Sequence, residues 1–235
     1  MKSLEAARAF EALSTPAIAD ACLRLSIPLR PAPPGLRPLL AGSRAAGRVR
    51  PARHAGSVDV FLEACGGAEK GDVLVIDNAG RTDEACIGDL TALEAQAAGF
   101  SAIVLWGLHR DTAELLAVSL PVWSYGTFPA GPRRLDPRPE DALVRARFGE
   151  QVVDDSDLVF ADDDGALFLA AARAPEVLAA ATEIARTERR QAQGVREGRG
   201  LRQQFRFDDF LARRGERPSL TFREYLREVG GAIEE

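Results

Sequence analysis

The feature that most constrains the fold is the apolar run Val73-Leu74-Val75-Ile76, which lies inside the stretch 71–77. A strand that is apolar at every position is covered on both faces, as strands in the middle of an α/β sheet are. Further elements alternate after it, with predicted strands at 85–87, 102–106 and 121–125 and predicted helices at 89–98 and 111–118. This order predicts a mixed α/β core.

The flanking segments extend the same core. A helix is predicted to begin with Thr15 as its cap and Pro16 in the first helical position, and a proline-rich loop follows at 28–38. The remaining predicted elements are a weak strand at 47–50, a helix at 58–64 and a β meander at 145–148, 151–153, 158–161 and 166–169. Asp163-Asp164-Gly165 is expected to make the tight turn of this meander.

The C-terminal part of the sequence is helical. The pattern runs from Pro175 to about Arg196, and two short helices are expected after it, one of them capped by Thr221 and Glu224. We therefore divide the chain into an α/β core at 1–172 and a helical extension at 173–235. The extension carries large apolar side chains that need cover, so it is expected to pack on the core or on a neighbouring subunit.

Composition excludes several classes of protein. The net charge is −5, which argues against a general nucleic-acid or membrane surface, and no apolar run approaches the ~18 residues that span a bilayer. Cys22, Cys65 and Cys86 form no Cys-x-x-Cys unit, so a reducing, cytoplasmic setting is expected. The only lysines, Lys2 and Lys70, lie at the terminus and in a solvated turn, which argues against Schiff-base chemistry.

Two polar clusters follow predicted strands and could carry chemistry. Gly88-Asp89-Leu90 follows the strand at 85–87, and Arg110-Asp111 comes shortly after the strand at 102–106. Because α/β sheets place ligand sites at the carboxyl ends of strands, these clusters are expected to meet. Two carboxylates and a guanidinium there can hold a divalent cation and an anionic substrate.

Each of these residues also has a purely structural interpretation. Asp111 and Glu114 fit a capping box, and Asp89 can cap the helix that follows it. Arg110 can be an ordinary surface ion-pair residue, and His109 can be either an acid–base group or a structural residue. The spacing alone leaves these alternatives open.

The residue types limit the metal. The two histidines, His54 and His109, are far apart, so zinc-type coordination is not expected, whereas carboxylates and water suit Mg²⁺ or Mn²⁺. The run Asp162-Asp163-Asp164-Gly165 lacks the spacing of a calcium loop. The phosphate-binding glycine motifs and the Gly-x-Ser-x-Gly motif of hydrolases are absent from the sequence.

The sequence resembles a family that contains the 4-hydroxy-4-methyl-2-oxoglutarate aldolases and the regulator of ribonuclease activity A, the RraA-like proteins. The segments that carry the resemblance are 13–21, 71–77, 88–90, 95–100, 110–115, 121–126 and 162–165. It implies a swivelling β/β/α core, like that of phosphohistidine domains, here with a helical C-terminal extension. It also implies assembly as a homotrimer or homohexamer with active sites between subunits.

The resemblance assigns roles to individual residues. The family's metal-binding acid matches Asp111, its carboxylate-binding arginine matches Arg110, and its substrate-binding loop matches Gly88-Asp89-Leu90-Thr91, in which Asp89 holds a metal-bound water. A glutamate from the C-terminal helix of a neighbouring subunit matches Glu188. The segment Trp106-Gly107-Leu108-His109 departs from the family pattern, so the substrate can differ from the family's namesake.

The expected function is therefore a divalent-metal-dependent aldolase or decarboxylase. Its substrate would be a 4-carboxy-2-keto acid, such as 4-hydroxy-4-methyl-2-oxoglutarate or oxaloacetate, and pyruvate would be released. Arg110, Asp111 and Asp89 are its expected catalytic residues. The alternative is a non-catalytic regulator that binds and inhibits a partner enzyme. A metal-dependent lyase or isomerase acting on an unrelated sugar acid is a third possibility.

Overall fold

The computed structural model describes residues 1–229. Its helices are α1 (Ser3–Phe10), α2 (Thr15–Arg24), α3 (Asp59–Gly66), α4 (Asp89–Ala97), α5 (Thr112–Val118), α6 (Ala174–Arg196), α7 (Leu201–Gln204), α8 (Phe207–Glu216) and α9 (Phe222–Glu228). Its strands are β1 (Arg37–Pro38), β2 (Ala45–Arg53), β3 (Val73–Asp77), β4 (Ala85–Ile87), β5 (Ala102–Trp106), β6 (Leu108–His109), β7 (Val122–Ser124), β8 (Arg145–Phe148), β9 (Gln151–Asp154), β10 (Asp157–Asp162) and β11 (Gly165–Ala170).

The main sheet has the order β1-β7-β5-β3-β2-β10-β11. Its centre is parallel, since β3 pairs with β2 on one side and with β5 on the other, and β5 pairs with β7. Strands β1, β10 and β11 join antiparallel. Every residue of β3 is buried, which confirms the prediction made from its continuous apolar run.

The sheet lies between two different layers. Helices α3 and α4 cover one face, where Phe61 and Ala92 pack against Leu74 and Ile103. The hairpin of β8 and β9 covers the other face of the central strands, where Phe148 packs in one cluster with Val75. The layers are therefore β-hairpin, sheet and helix, which is the β/β/α arrangement expected.

Strand β2 runs over Ala45–Arg53, longer than the predicted 47–50, and it contains Pro51. Proline cannot donate a ladder hydrogen bond, so its presence argues against a central strand. The structure accommodates Pro51 because β10 pairs only with residues 45–48 of β2. Beyond that point β2 pairs with β3 alone in the main sheet, and Pro51 lies opposite Val75.

The start of α2 differs from the prediction. Ser14 is the cap, and its side chain accepts from the Ala17 amide at 3.4 Å. The amide and hydroxyl of Thr15 instead donate to the Asp162 carboxylate, at 2.8 and 2.7 Å. Asp162 opens the predicted turn between β10 and β11, so this contact joins the turn to α2. The acidic run at 162–165 is thus a hairpin turn in the structure.

The C-terminal helices pack in two groups. The first half of α6 lies on α2, where Val177, Ala181 and Ile184 share a cluster with Ile18. Up to residue 229, three helices rather than two follow α6, because the segment after Gly200 also forms α7. They enclose a separate cluster of buried residues: Phe210, Leu220, Tyr225 and Leu226.

The end of the chain supports one local prediction. The capping box of α9 is present, with the Thr221 hydroxyl 3.2 Å from the Glu224 amide. The last six positions of the extension, 230–235, lie outside the described residues. Among residues 1–229, the structure contains no helix with the length and apolar character that crossing a bilayer requires.

Candidate active site

A small two-stranded sheet brings the two predicted clusters together. Strands β4 and β6 pair in parallel beyond the carboxyl ends of β3 and β5. Gly88 directly follows β4, while Arg110 and Asp111 directly follow β6. The Arg110 amide donates to the Ile87 carbonyl at 3.0 Å, which fixes the two chain segments side by side.

Gly88 leaves space for the carboxylate of Asp111. A Cβ atom at Gly88 would lie 2.2 Å from Asp111 Oδ2, which is closer than any side chain permits. The backbone of Gly88 is extended, with φ −143°, so the need for glycine comes from this contact and not from a left-handed conformation. Gly88, the glycine of the predicted substrate loop, therefore determines where the Asp111 carboxylate lies.

The backbone of Asp111 is strained and its side chain does not cap the helix. Asp111 has φ 57° and ψ 45°, in the left-handed region that few non-glycine residues adopt. It is the N-cap residue of α5, yet its carboxylate makes no capping hydrogen bond. The capping interpretation of Asp111 is therefore wrong, and its carboxylate is available for another role. Strain of this kind is concentrated at functional sites.

Arg110 lies beside this carboxylate. Its Nε atom is 3.4 Å from Asp111 Oδ2, and the two side chains are 48% and 36% exposed. The end of its guanidinium extends towards Gly131, where a Cβ atom would lie 3.0 Å from Nη1. The pair thus presents one anionic and one cationic group to the same open region.

The predicted substrate loop forms the first turn of α4. Gly88 is the N-cap, and Asp89 is the first helical residue rather than the cap. The Leu90 amide donates to Asp89 Oδ1 at 2.8 Å, and the Leu90 side chain is 76% exposed. A substrate carboxylate that binds the Leu90 amide would therefore replace Asp89 there.

His109 belongs to the wall behind the site. It is buried, with Nδ1 2.7 Å from Ser124 Oγ and Nε2 3.1 Å from Thr112 Oγ1. Burial lowers the pKa of His109 below its usual value, so the ring is neutral at neutral pH. Both ring nitrogens have partners within the protein. The geometry therefore favours a structural role for His109.

The donor set suits a hard cation with few protein ligands. Within residues 1–229, no three His, Cys, Asp or Glu side chains converge as a metal site. Asp111 offers carboxylate oxygens in a space that a Gly88 side chain would fill. Mg²⁺ and Mn²⁺ bind through one or two carboxylates plus water, so these residues fit such an ion. Glu188 lies half-buried on α6, and the structure does not place it in a carboxylate cluster with Asp111.

Sequence reasoning missed a second polar region close by. Glu84, just before β4, is buried, and its carboxylate accepts from Arg134 Nη2 at 2.9 Å and from Arg134 Nε at 3.1 Å. His54 Nδ1 lies 3.7 Å from the same carboxylate. His54, Glu84 and Arg134 are far apart in the sequence. The pair of arginines at 133–134 is the one local signal that could have drawn attention to this region.

The sequence matches known proteins over much of this region. A family model described as RraA-like, Aldolase/RraA, matches residues 15–168. A protein of Dechloromonas aromatica (strain RCB), named "Putative 4-hydroxy-4-methyl-2-oxoglutarate aldolase", is 31% identical over 105 residues, which are 45% of this chain and 63% of that protein. The chain thus spans less than two thirds of the length of this relative.

Solved structures share the fold. RraAS2 of Streptomyces coelicolor, described as an unusual member of the RNase ES inhibitor RraA protein family, is 27% identical with a TM-score of 0.68, over 78% of this chain and 93% of that one. An uncharacterized protein from Pseudomonas syringae pv. tomato strain DC3000 is 24% identical with a TM-score of 0.68, over 81% and 92%. These likenesses confirm the expected core fold. The family model matches well over half of the length of this chain. The chain therefore belongs to the RraA-like family, Aldolase/RraA.

Proposed function

We propose that the protein is a divalent-metal-dependent carbon–carbon lyase, an aldolase or decarboxylase that releases pyruvate from a 4-carboxy-2-keto acid. The observation that carries this proposal is the conformation of Asp111 and the surroundings of its carboxylate. Its carboxylate is held on a left-handed backbone against Gly88, makes no helix-capping bond, and lies beside Arg110. The aldolase name of the Dechloromonas relative supports the reaction class.

Each residue of the site has a part in this reaction. The Arg110 guanidinium pairs with the substrate carboxylate and stabilises the negative charge that the keto oxygen gains as the carbon–carbon bond breaks. The amides of Leu90 and Thr91, in the first turn of α4, bind the carboxylate end. Asp89 holds a water molecule that accepts the C4 hydroxyl proton in the aldol cleavage and, in either reaction, gives a proton to the carbanionic carbon of the pyruvate enolate.

Asp111 is the residue that holds the metal. A bound Mg²⁺ or Mn²⁺ supplies Lewis-acid polarisation of the 2-keto oxygen. The exposure of Asp111 and Arg110, 36% and 48%, is high for groups that must act in a water-poor site. We infer that a homotrimer or homohexamer covers them, and that Glu188 of a neighbouring copy completes the site.

The test is pyruvate release from oxaloacetate and from 4-hydroxy-4-methyl-2-oxoglutarate. The rate is measured with EDTA, and again after Mg²⁺ or Mn²⁺ is added back. Free metal ions also decarboxylate oxaloacetate, so a reaction with the Asp111→Asn variant serves as the background. We expect release that needs both the metal and Asp111. Equal rates with EDTA, or with the variant, would refute the proposal.

A second function is favoured by the likeness to RraAS2, a member of an RNase inhibitor family. In that case the same fold binds and inhibits a partner enzyme. A stoichiometric protein partner, together with no pyruvate release from either substrate, would support this alternative. The Asp111–Arg110 pair argues against it, because a binding scaffold does not need a strained carboxylate next to an arginine.

A further inference from the structure

A second cleft lies where the central strands of the sheet end. The last residues of β2, β3 and β5 are Arg53, Asp77 and Trp106, and they stand in register next to one another. The carboxyl ends of parallel strands are the usual place for a ligand in an α/β sheet. The cleft has a volume of about 500 Å³, which is enough for a small organic molecule.

Most of the charges in this cleft are already paired. Arg53 Nε lies 3.3 Å from Asp77, and Arg53 Nη1 lies 2.8 Å from Asp141. Arg134 is bound to the buried Glu84. These pairs hold the walls of the cleft and leave little net charge of their own.

Arg147 is the exception. Its backbone amide donates to Asp77 Oδ2 at 2.9 Å, which fixes the residue at the cleft. Its exposed guanidinium lines the cleft, and among the described residues it has no carboxylate partner. Arg81, which also lines the cleft, is already paired, with Nη2 2.6 Å from Asp83 and the buried Nε 3.6 Å from Glu84. The Arg147 guanidinium is therefore the group that this cleft offers to an anion from outside the protein.

The indole of Trp106 forms an apolar wall of the cleft. Gly80, with φ +65°, holds this ring at close range, since a Cβ atom there would lie 2.8 Å from the indole nitrogen. Phe148 packs behind it with a ring-centre distance of 6.3 Å. Because both neighbours restrict the ring, its orientation at the cleft is fixed.

We propose that this cleft binds a small carboxylate that carries a flat unsaturated or aromatic group. The carboxylate lies on Arg147, since the planar guanidinium fork matches a carboxylate, and the flat group lies on Trp106. Strand β4 separates the cleft from the candidate active site, with Glu84 before it and Gly88 after it. The cleft is therefore a binding site of its own, and it does not depend on the reaction proposed above.

The chain provides its own probe for this site. It contains two tryptophans, of which Trp123 is fully buried and Trp106 lines the cleft. Sodium benzoate is titrated into the protein in EDTA while tryptophan emission is recorded. We expect saturable quenching that disappears in Trp106→Phe. Arg147→Gln should weaken binding at least tenfold, whereas the matched control Arg133→Gln, which removes an exposed guanidinium outside the cleft, should change it less than twofold.

Two further arms keep this test separate from the proposed reaction. The titration is repeated in the Asp111→Asn variant, where binding should persist because Asp111 takes no part in it. Inorganic phosphate replaces benzoate in a second series, and it should bind more weakly because it gains nothing from Trp106. Absence of saturable quenching, quenching unaffected by Arg147→Gln, loss in Asp111→Asn, or phosphate binding as tight as that of benzoate would each overturn the proposal.

Discussion

The carboxylate of Asp111 occupies the space that a side chain at Gly88 would take, with Oδ2 2.2 Å from the position of the missing Cβ. The two residues lie on different strand ends, 23 positions apart by their numbers in the sequence. The predicted substrate loop and the Asp111 carboxylate are therefore in direct contact, so a side chain added at Gly88 would displace the carboxylate.

The first prediction concerns Gly88→Ala. The new methyl group would push the Asp111 carboxylate out of place, so metal-dependent pyruvate release should fall by at least 100-fold while the fold persists. Gly66→Ala is the control, because a Cβ atom at Gly66 meets nothing within 4 Å. Calorimetric titration with Mg²⁺ measures the accompanying loss of metal binding. Full activity in Gly88→Ala would show that the carboxylate position does not matter.

The second prediction separates the strain at Asp111 from its chemistry. Asparagine tolerates the left-handed backbone, whereas alanine there costs about 1 kcal/mol. Asp111→Asn should therefore keep its free energy of unfolding, Asp111→Ala should lose about 1 kcal/mol, and both should lose activity. Urea unfolding and the pyruvate assay measure the two properties. Glu114→Gln, in the same first turn, is the active control, and activity in Asp111→Asn would contradict the metal role.

The third prediction concerns the pair of Arg134 and Glu84. The Glu84 side chain is 4% exposed, and Arg134→Met removes the nearer of its two arginine partners, leaving Arg81 Nε at 3.6 Å. The expected loss is about 3–5 kcal/mol of unfolding free energy, and Glu84→Gln in the same chain should recover much of it. Arg138→Met breaks an exposed pair with Glu63 and should cost less than about 1 kcal/mol. Similar losses for both arginines would mean that burial is not the cause.

The fourth prediction concerns stability below neutral pH. Burial lowers the pKa of both histidines of the chain, His54 and His109, below their ordinary value of 6.5. Above that value both are neutral in the folded and the unfolded chain, and their contribution to stability is complete. As the pH falls below 6.5 the unfolded chain takes up protons first, so stability falls, by at most about 1.4 kcal/mol per pH unit for each histidine.

Urea unfolding at pH 7.5 and 5.5 measures this effect. The free energy of unfolding should be lower at pH 5.5, and the difference should shrink in a chain with both His54→Gln and His109→Gln. Most carboxylates titrate at lower pH and contribute little in this window. A difference that is unchanged in the double variant would assign it to other groups.

The sequence was sufficient to place the two halves of the candidate active site. The short strand predicted at 85–87 is present as β4, and the continuous apolar run at 102–105 leaves few alternatives to a buried strand, so the residues after them were expected to meet. The pairing of β4 with β6, which brings Gly88 to Asp111, was not predicted. Strand β2 was harder to recognise, because Pro51 and its arginines hide a strand that is half-covered by β10.

Other features have no local signal. The residues Asp111-Thr112-Ala113-Glu114 fit a capping box as well as any helix start, and only the backbone angles show that the acid does not cap. Arg134 and Glu84 are 50 positions apart, and nothing in either segment indicates the other. Such contacts depend on how the loop that carries Arg134 crosses β4, which is a property of the whole fold.

Helix α6 has a geometric consequence for the end of the chain. It is a single helix of 23 residues, about 34 Å long, whose first half is held on α2. Near its far end, Gly194 leaves space for the Gln204 side chain, whose amide donates to the Gln191 carbonyl at 3.0 Å and attaches the aromatic helices, α7 to α9, to α6. One residue inserted between these anchor points would rotate those helices by about 100° around the axis. The length of α6 thus determines the orientation of the aromatic helices around its axis. Only insertions near a whole number of helical turns would leave that orientation unchanged.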